Sequence, residues 1–351
     1  MSGKKWIKIW LSILLLIPIL GILNYIVDPL QQYRKAEMYD VYYEIKKQRY
    51  LNPGLAKTYD YNSVLIGSSM TENFLISDLK KIMNNPIKLC MSGATANEIN
   101  TTLKTVFNSK NKVNTVFLGL DLYAISGDKF RLYNGPGSMP LYLYDNNISN
   151  DYKYLISNDT IKESFRSIKN SNSRKDDQVW FEYEYMYQWQ HNDNHKFGKE
   201  KVLKLWSGNN KYDINYKNKD WQFNRLKESF DYNILSIVNE NPNIKFIIFY
   251  PPYSILTYKD WQNKNMMEDI IKIKMYIKEV LKNKNVELYD FQNNLELVSN
   301  LDLYKDKTHY HQKVNTYIVD AIKDENYKVD EKYLDSLDEF KKYVNTYEVL
   351  K

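Results

Sequence analysis

Two motifs that lie far apart in the chain carry the residue types of a serine nucleophile and its base. Ser69 follows a short apolar segment, Ser63–Gly67, that ends at a glycine and is typical of a buried strand. A serine at a strand-to-helix turn can be exposed, and the N–H groups that begin the helix can stabilise an oxyanion. Asp306 stands three residues before His309, and a histidine oriented by a carboxylate is the base that such a serine needs. These residues predict a Ser-His-Asp hydrolase or acyltransferase.

Other groups capable of chemistry are few. The chain contains four histidines, at positions 191, 195, 309 and 311, and one cysteine, Cys90. His191 and His195 have a spacing that could place two metal ligands on one helix face, but their polar surroundings favour solvated histidines. A lone cysteine excludes an intrachain disulfide, and Cys90 falls on a predicted strand, where a small core residue is expected. We therefore expect no metal and no organic cofactor.

Composition places the chain among folded proteins. Of 351 residues, 43% are hydrophobic and 26% are charged, which excludes a disordered chain. Lys and Arg number 49 against 43 Asp and Glu, giving a net charge of +6 that is spread along the chain. Because no basic block stands out, we expect no nucleic-acid partner.

The N-terminus predicts a membrane anchor. Residues 9–27 contain no charge, and at a rise of 1.5 Å per residue they would span roughly 28 Å, close to the ~30 Å core of a bilayer. No cleavage site of the small-x-small type follows, so an uncleaved signal anchor is favoured over a signal peptide. The alternative is a buried core helix. Lysines and arginines flank both sides, but the short tail is easier to keep in the cytoplasm, which predicts a single-pass protein of the cell membrane with its domain extracellular.

Short apolar segments alternate with helical patterns along the rest of the chain. Strands are predicted at 63–67, 87–91, 115–120, 244–250 and 286–289, and helices at 36–50, 71–83, 95–107, 223–239, 266–281 and 312–322. This alternation predicts an α/β fold, a three-layer α/β/α domain with about five parallel strands. The predicted divisions are a tail at 1–8, the anchor at 9–27, a linker helix within 28–60 that ends at the 52–54 breaker, a core at 61–125 and 222–325, an aromatic-rich insert at 126–221, and a polar C-terminal helix within 326–351.

Ligands of parallel sheets bind beyond the carboxyl ends of the strands. The residues expected there are Ser69, Gly93 after the second strand, Asp121 after the third, and the loop 304–311. Residues 250–253 follow the fourth strand, and a rigid turn is their simplest role.

These blocks resemble the SGNH/GDSL hydrolase superfamily in order and approximate spacing. The resemblance covers residues 60–125 and 240–325, through Gly67-Ser68-Ser69-Met70, Gly93, Asp121 and the Asp306-x-x-His309 motif. It implies that Ser69 is the nucleophile and, with Gly93, a backbone oxyanion donor. It also implies that His309 is the base and that Asp306 orients it.

The pattern departs from the family at two positions. Ser68 precedes the nucleophile at a position where the family usually has Asp. Serine at this position is found in the membrane-anchored branch of the family. Asp121 stands where an Asn usually donates a hydrogen bond to the oxyanion, and an ionised carboxylate only accepts. Asp121 is therefore a third candidate for the oxyanion hole by its position, although an ionised carboxylate cannot donate the hydrogen bond that this role requires.

The anchor, the exported domain and the serine motif are similar to those of proteins that assist cell-surface acylation. The resemblance implies an acyltransferase or esterase that acts, through an acyl-serine, on O-acetyl or D-alanyl groups of a polysaccharide or teichoic acid. A multi-span membrane O-acyltransferase is the implied partner. A non-catalytic scaffold that binds the polymer or this partner is the alternative. The Trp- and Tyr-rich insert could be a sugar-binding platform or its own small core, and we expect it to carry helices.

Overall fold

A parallel five-stranded sheet forms the centre of the molecule. A computed structural model describes residues 3–175, 178–191, 196–206 and 218–349, without the side chains of residue 9 and residues 11–15. The strands are β1 (Ser63–Gly67), β2 (Pro86–Lys88), β3 (Thr115–Gly119), β4 (Lys245–Tyr250) and β5 (Val286–Asp290). Their order is β2-β1-β3-β4-β5, and every pair is parallel. The five predicted strands are therefore confirmed.

The described residues contain fifteen α-helical segments. They are α1 (Gly3–Val27), α2 (Gln48–Thr58), α3 (Ile76–Leu79), α4 (Ala96–Phe107), α5 (Leu122–Ile125), α6 (Tyr152–Leu155), α7 (Asn158–Asn172), α8 (Lys199–Leu205), α9 (Phe223–Phe230), α10 (Ser236–Glu240), α11 (Ile255–Asn263), α12 (Met267–Leu281), α13 (Leu295–Ser299), α14 (Gln312–Lys323) and α15 (Tyr333–Thr346). A π-helical turn, Asp231–Leu235, joins α9 to α10.

The helices cover a sheet whose strands are almost wholly buried. Helix α4 packs against α2 and against the α9–α10 segment, α9 packs against α12, and α3 packs against α14. Every residue of β1 is buried, as expected for a central parallel strand with both faces covered. The architecture is α/β and consistent with three α/β/α layers.

The sheet has its switch point between β1 and β3. The chain leaves β1 to form β2 on one side and returns to form β3 on the other, so the loops after β1 and β3 diverge. Such a crevice is where ligands of open parallel sheets bind. Ser69 follows β1 and Asp121 follows β3.

The predicted helix at 36–50 is wrong. The helix of this region is α2, which runs through Pro53 and Gly54 rather than stopping there. Pro53 cannot donate to the carbonyl of Arg49, but the Tyr144 hydroxyl donates to that carbonyl instead (2.8 Å). A Cβ on Gly54 would lie 2.0 Å from the carbonyl oxygen of Leu30, so glycine lets the chain pass close to the helix.

Two further helix predictions need correction. The segment predicted as a helix at 71–83 is a 3-10 turn, Ser69–Thr71, followed by the single helical turn α3. The C-terminal helix is not merely polar, because α15 buries Tyr333, Leu337, Phe340 and Val344. It packs against α11 and α12.

The N-terminal helix α1 contains the predicted membrane span. Within the portion of the chain that the structure describes, no helix is long and apolar enough to cross a membrane. The side chains of residue 9 and residues 11–15 fall inside the predicted span and lie outside that description.

The insert carries helices of its own, as expected. Residues 126–221 include α6, α7 and α8, and α6 and α7 pack against α1. Residues 176–177, 192–195 and 207–217 lie outside the described residues.

Candidate active site

Ser69 begins the 3-10 turn that follows β1. The Ser68 side chain caps this turn by accepting a hydrogen bond from the N–H of Met70 (3.3 Å). The local sequence therefore ends the strand and at once starts a helical turn at Ser69, which is the geometry expected for an exposed nucleophile at a strand end.

Gly67 makes this turn possible by its lack of a side chain. A Cβ on Gly67 would lie 2.7 Å from Cγ2 of Thr71 and 2.9 Å from the carbonyl oxygen of Gly119. Because Cβ atoms do not approach other atoms this closely, only glycine allows the turn to fold back against β3.

Ser69, His309 and Asp306 form a hydrogen-bonded series. The Oγ of Ser69 lies 2.8 Å from Nε2 of His309, although the two residues are 240 positions apart. The Nδ1 of His309 lies 2.8 Å from Oδ2 of Asp306 and 3.1 Å from Oδ1. When Asp306 accepts a hydrogen bond from Nδ1–H, Nε2 of the imidazole is unprotonated and can accept the serine proton. The structure thus brings the three predicted residues together.

The Asp306 carboxylate is held in its charged form. Burial by itself raises the pKa of Asp306, but hydrogen bonds and the charge of His309 outweigh burial, so the pKa lies well below its usual range. The backbone N–H groups of Thr308 and His309 each donate to Oδ1 at 2.8 Å. Asp306 is therefore a fixed acceptor for the imidazole.

The loop that carries His309 is tied directly to the serine turn. Tyr304 and Tyr310 form an antiparallel bridge that closes the loop. The Tyr310 hydroxyl donates to the carbonyl of Met70 (2.8 Å), and Nδ2 of Asn315 donates to the same carbonyl (3.3 Å). These bonds set the distance between the serine turn and the histidine.

Gly93 lies in the turn that follows β2, next to the serine turn. The N–H of Met91 donates to the carbonyl of Gly67 (3.0 Å), which aligns the two loops, and Gly93 has φ +60, a conformation that favours glycine. Among the described residues, the N–H groups of Ser69 and Gly93 donate to no protein acceptor. Both amides are therefore free to bind an oxyanion.

Side chains from the start of α2 clamp this Gly93 turn, a feature that sequence reasoning missed. Gln48 Oε1 accepts from the N–H of Ser92 (2.7 Å), and Arg49 Nη2 donates to the Ser92 carbonyl (3.0 Å). Arg49 also forms a buried ion pair with Glu98 (2.8 Å). Glu72 Oε1 accepts from the Ser92 hydroxyl (2.6 Å), and burial raises the pKa of Glu72 despite that bond.

Asp121 accepts hydrogen bonds and offers no donor to an oxyanion. Its Oδ2 accepts from the Ser68 hydroxyl (2.8 Å), and its Oδ1 accepts from the N–H of Tyr123 (3.0 Å) and from the Tyr253 hydroxyl. Burial, followed by the charge of Asp121, raises the pKa of Tyr253 well above its usual value, so this hydroxyl remains a donor. The third oxyanion-hole candidate therefore needs correction: Asp121 positions Ser68, beside the nucleophile candidate.

Trp189 and Lys305 form a wall of the site that the sequence did not reveal. Trp189 Nε1 donates to the carbonyl of Ser69 (3.1 Å), and its ring stands edge-on to His309 at 5.8 Å between centroids. The Nζ of Lys305 lies 3.6 Å from the centre of the Trp189 ring. Burial lowers the pKa of Lys305. An aromatic face and a half-buried cation therefore border the serine; only the proximity of Lys305 to Asp306 in sequence could have indicated this.

Lys88 is buried beneath the serine turn. It lies on the edge strand β2, is fully buried, and donates from Nζ to the carbonyls of Glu72 and Phe74, both at 2.7 Å. Burial lowers the pKa of Lys88 to about 8. No sequence pattern distinguishes this lysine from an exposed one.

The described insert aromatics mainly pack inside the protein. Trp189, Trp206 and Trp221 are 6–7% exposed, and Trp206 Nε1 donates to Oδ1 of Asp260 (3.1 Å). Trp206 and Trp221 join the main hydrophobic cluster around the sheet rather than a separate small core of the insert.

Cys90 and His311 are accounted for by packing and capping. Cys90 is fully buried, and burial raises the pKa of its thiol to about 12, as fits the expected core residue. His311 caps α14 through Nδ1. His195 lies outside the described residues, and within those that are described no group of three or more His, Cys, Asp or Glu could hold a metal ion.

No family model matches the chain, and no curated protein matches it either. The resemblance to the SGNH/GDSL superfamily stays a prediction from its motifs.

Proposed function

We propose that this chain is a membrane-anchored, SGNH-like serine acyltransferase or esterase. Its substrates would be O-acetyl or D-alanyl groups of a cell-surface polysaccharide or teichoic acid. The observation that carries the proposal is the hydrogen-bonded series from Ser69 through His309 to Asp306.

The reaction follows from the donors and acceptors in this series. Ser69 Oγ attacks the acyl carbonyl carbon while its proton passes to Nε2 of His309, and Asp306 stabilises the imidazolium through Nδ1–H. His309 then protonates the departing alkoxide, and an acyl-serine ester remains. Water or a sugar hydroxyl attacks that ester, gives its proton to His309, and leaves Ser69 restored when the proton returns.

The negative charge of each tetrahedral intermediate needs donors aimed at its oxygen. The amides of Ser69 and Gly93 supply two such donors, both from backbone that is held before the substrate binds. Asp121 adds none, so the proposed hole relies on these two amides.

The cellular setting of the proposal rests on the predicted anchor. A span at 9–27 would leave residues 1–8 in the cytoplasm and the α/β domain outside the cell. There the domain would meet its polymer and a multi-span membrane O-acyltransferase that supplies the acyl group.

The test is acylation of Ser69. The full chain in detergent is incubated with an activated acetyl ester and weighed intact by mass spectrometry. We expect a gain of one acetyl group that Ser69→Ala abolishes. Ser236→Ala, which removes a partly exposed hydroxyl on α10 that donates to the Tyr232 carbonyl, is the matched control and should keep the adduct.

Absence of both an adduct and ester turnover in the wild-type chain would contradict the enzyme proposal. If Ser69→Ala also preserved polymer acylation in cells, the non-catalytic scaffold would be the better description.

A further inference from the structure

Helices α6 and α7 of the insert are attached to the last turns of α1. Asn24 on α1 is fully buried: its Nδ2 donates to the carbonyl of Leu155 (2.7 Å), and its Oδ1 accepts from the Ser164 hydroxyl (2.9 Å). One turn earlier, a Cβ on Gly21 would lie 3.6 Å from Cγ2 of Ile156. The insert therefore lies beside α1 at the level of Gly21 to Asn24.

This level falls inside the predicted membrane span. Gly21 precedes Val27, the last residue of α1, by six residues, or about 9 Å along the helix axis. If residues 9–27 cross a bilayer, Ile156 lies about 9 Å below the end of the span. Helices that lie in the membrane interface bury their apolar side chains about 5–10 Å deep.

The insert exposes apolar side chains in this same region. Ile148 is 84% exposed, Phe165 63%, Tyr152 56% and Ile156 46%. Such a concentration of exposed apolar groups is costly in water and marks a contact surface. Lys153 and Lys169 are also exposed, as is Lys162, which lies 3.7 Å from the exposed Asp159. Cationic side chains of this kind suit anionic lipid headgroups.

The polar group of α1 that could bind a second membrane helix is already used within the chain. A polar residue in a membrane helix commonly binds a second membrane helix through its amide. Here the amide nitrogen and oxygen of Asn24 are both used by the insert, at Leu155 and Ser164. This side of α1 is thus already covered by its own chain.

We propose that α6, α7 and the turn at Ile148 lie in the lipid interface, with Ile148, Tyr152, Ile156 and Phe165 among the headgroups and upper acyl chains. The proposal rests on the membrane anchor proposed above. It would fix the α/β domain on the bilayer surface at two places instead of leaving it on a flexible tether.

The test uses the full chain in liposomes of phosphatidylcholine and phosphatidylglycerol. Phe165→Cys and Ile156→Cys are labelled with an environment-sensitive fluorophore, since native Cys90 is buried and will not react. Leu334→Cys on α15 is the water-facing control, and Ile19→Cys on α1 reports the anchor. We expect nitroxide-labelled lipid to quench the Phe165 and Ile156 probes several-fold more than the Leu334 probe, and aqueous iodide to show the reverse order.

Each outcome separates the two proposals. Lipid quenching at residue 19 with iodide quenching at 156 and 165 would keep the anchor and overturn the interfacial surface. Iodide quenching at all positions would overturn both. If the probes at 156 and 165 were shielded from iodide in native membranes but not in liposomes, the surface would bind a protein and the lipid proposal would be overturned. Ile148→Cys gives a second position if Phe165→Cys folds poorly.

Discussion

At the scale of single residues, a carboxylate appears twice beside the candidate nucleophile, with two different tasks. Asp306 accepts a hydrogen bond from Nδ1–H of His309, whereas Asp121 accepts hydrogen bonds from the hydroxyls of Ser68 and Tyr253. The first orients a base, and the second fixes the residue next to Ser69. Substitution of Asp306 should therefore slow the reaction, whereas substitution of Asp121 should lower the stability of the turn.

Asp306→Asn should slow acylation of Ser69 by about 10³–10⁴-fold, because an amide can present its NH₂ to Nδ1 and so favour the wrong tautomer. The loop should persist, since the amide oxygen can still accept from the N–H groups of Thr308 and His309. Release of the leaving group from an activated ester measures the rate, and a circular dichroism melt checks the fold. An unchanged rate would remove Asp306 from the mechanism.

Tyr253→Phe should lower the free energy of unfolding by about 1.5–3 kcal/mol, because it deletes a hydrogen bond to the Asp121 carboxylate. Tyr250→Phe is the matched control: among the described residues its hydroxyl is buried without a partner, so its loss should be neutral or stabilising. Urea denaturation of the two variants measures both effects. Equal losses would show that the bond to Asp121 contributes nothing.

The sequence predicted the reacting residues but not those that hold them. Ser69, Asp306 and His309 stand out because nucleophile and base need particular residue types at a strand end and before a helix. The roles of Tyr253, Trp189 and Arg49 depend on where distant segments pack. Tyrosine and tryptophan are common throughout this chain, so their type alone indicates no position.

At the scale of elements, β2 supports the serine turn through Lys88. This strand has three residues at the edge of the sheet, and Lys88 pairs in register with Leu65 of β1. From there its ammonium binds the carbonyls of Glu72 and Phe74, just beyond the turn. The strand was predicted at 87–91 and is shorter, Pro86–Lys88, and periodicity could not predict that its lysine points inward.

The lowered pKa of Lys88 gives a pH-dependent stability with a definite sign. The pKa of Lys88 is about 8 in the folded chain and 10.5 for an ordinary lysine, so between these pH values the unfolded chain binds more protons than the folded one. The free energy of unfolding therefore rises with pH across this window. The contribution is lost as the pH falls through the folded pKa. The stability advantage of the wild type over Lys88→Met should therefore increase by on the order of 2 kcal/mol from pH 8 to pH 10. Urea denaturation at each pH measures it.

Lys104→Met, on the exposed face of α4, is the control for this titration and should leave the pH dependence unchanged. If the difference in the free energy of unfolding between wild type and Lys88→Met stayed constant from pH 8 to pH 10, Lys88 would titrate alike in the folded and unfolded chains.

Some helices were predictable and others were not, for identifiable reasons. Helix α4 begins with a capping box between Thr95 and Glu98, a local signal, and its bounds match the prediction to within a residue. Helix α2 depends on Tyr144 and on the approach of Leu30, neither of which is local. Local signals predict helix ends well, and distant contacts decide the exceptions.

At the scale of the whole molecule, both terminal helices pack against other helices of the chain. Helix α1 is fastened to the insert through Asn24, and α15 lies on α11 and α12. Tyr258 of α11 meets Phe340 edge-on (4.8 Å between centroids), and its hydroxyl accepts from the N–H of Tyr253 (3.3 Å). Phe340 on α15 is thus connected to Asp121 by three successive contacts, by way of Tyr258 and Tyr253.

Phe340→Ala should destabilise the fold by about 3–5 kcal/mol, since it empties a buried site between α15 and α11. Leu334→Ala, an exposed position on the same helix, should change stability little and controls for helix propensity. Denaturation of the full chain in detergent measures both. A small effect of Phe340→Ala would show that α15 contributes little to the core.

The 240-residue separation of Ser69 from His309 also matters for biosynthesis. When a growing chain has completed β1, β2 and β3, it already contains the serine, but Tyr310 and Asn315, which hold the carbonyl of Met70, have not been translated. Synthesis proceeds from the N-terminus, and a domain generally folds as a unit. The newly made polypeptide therefore carries an unsupported serine turn with no base beside it, and the site matures only when the final segment of the protein has been made.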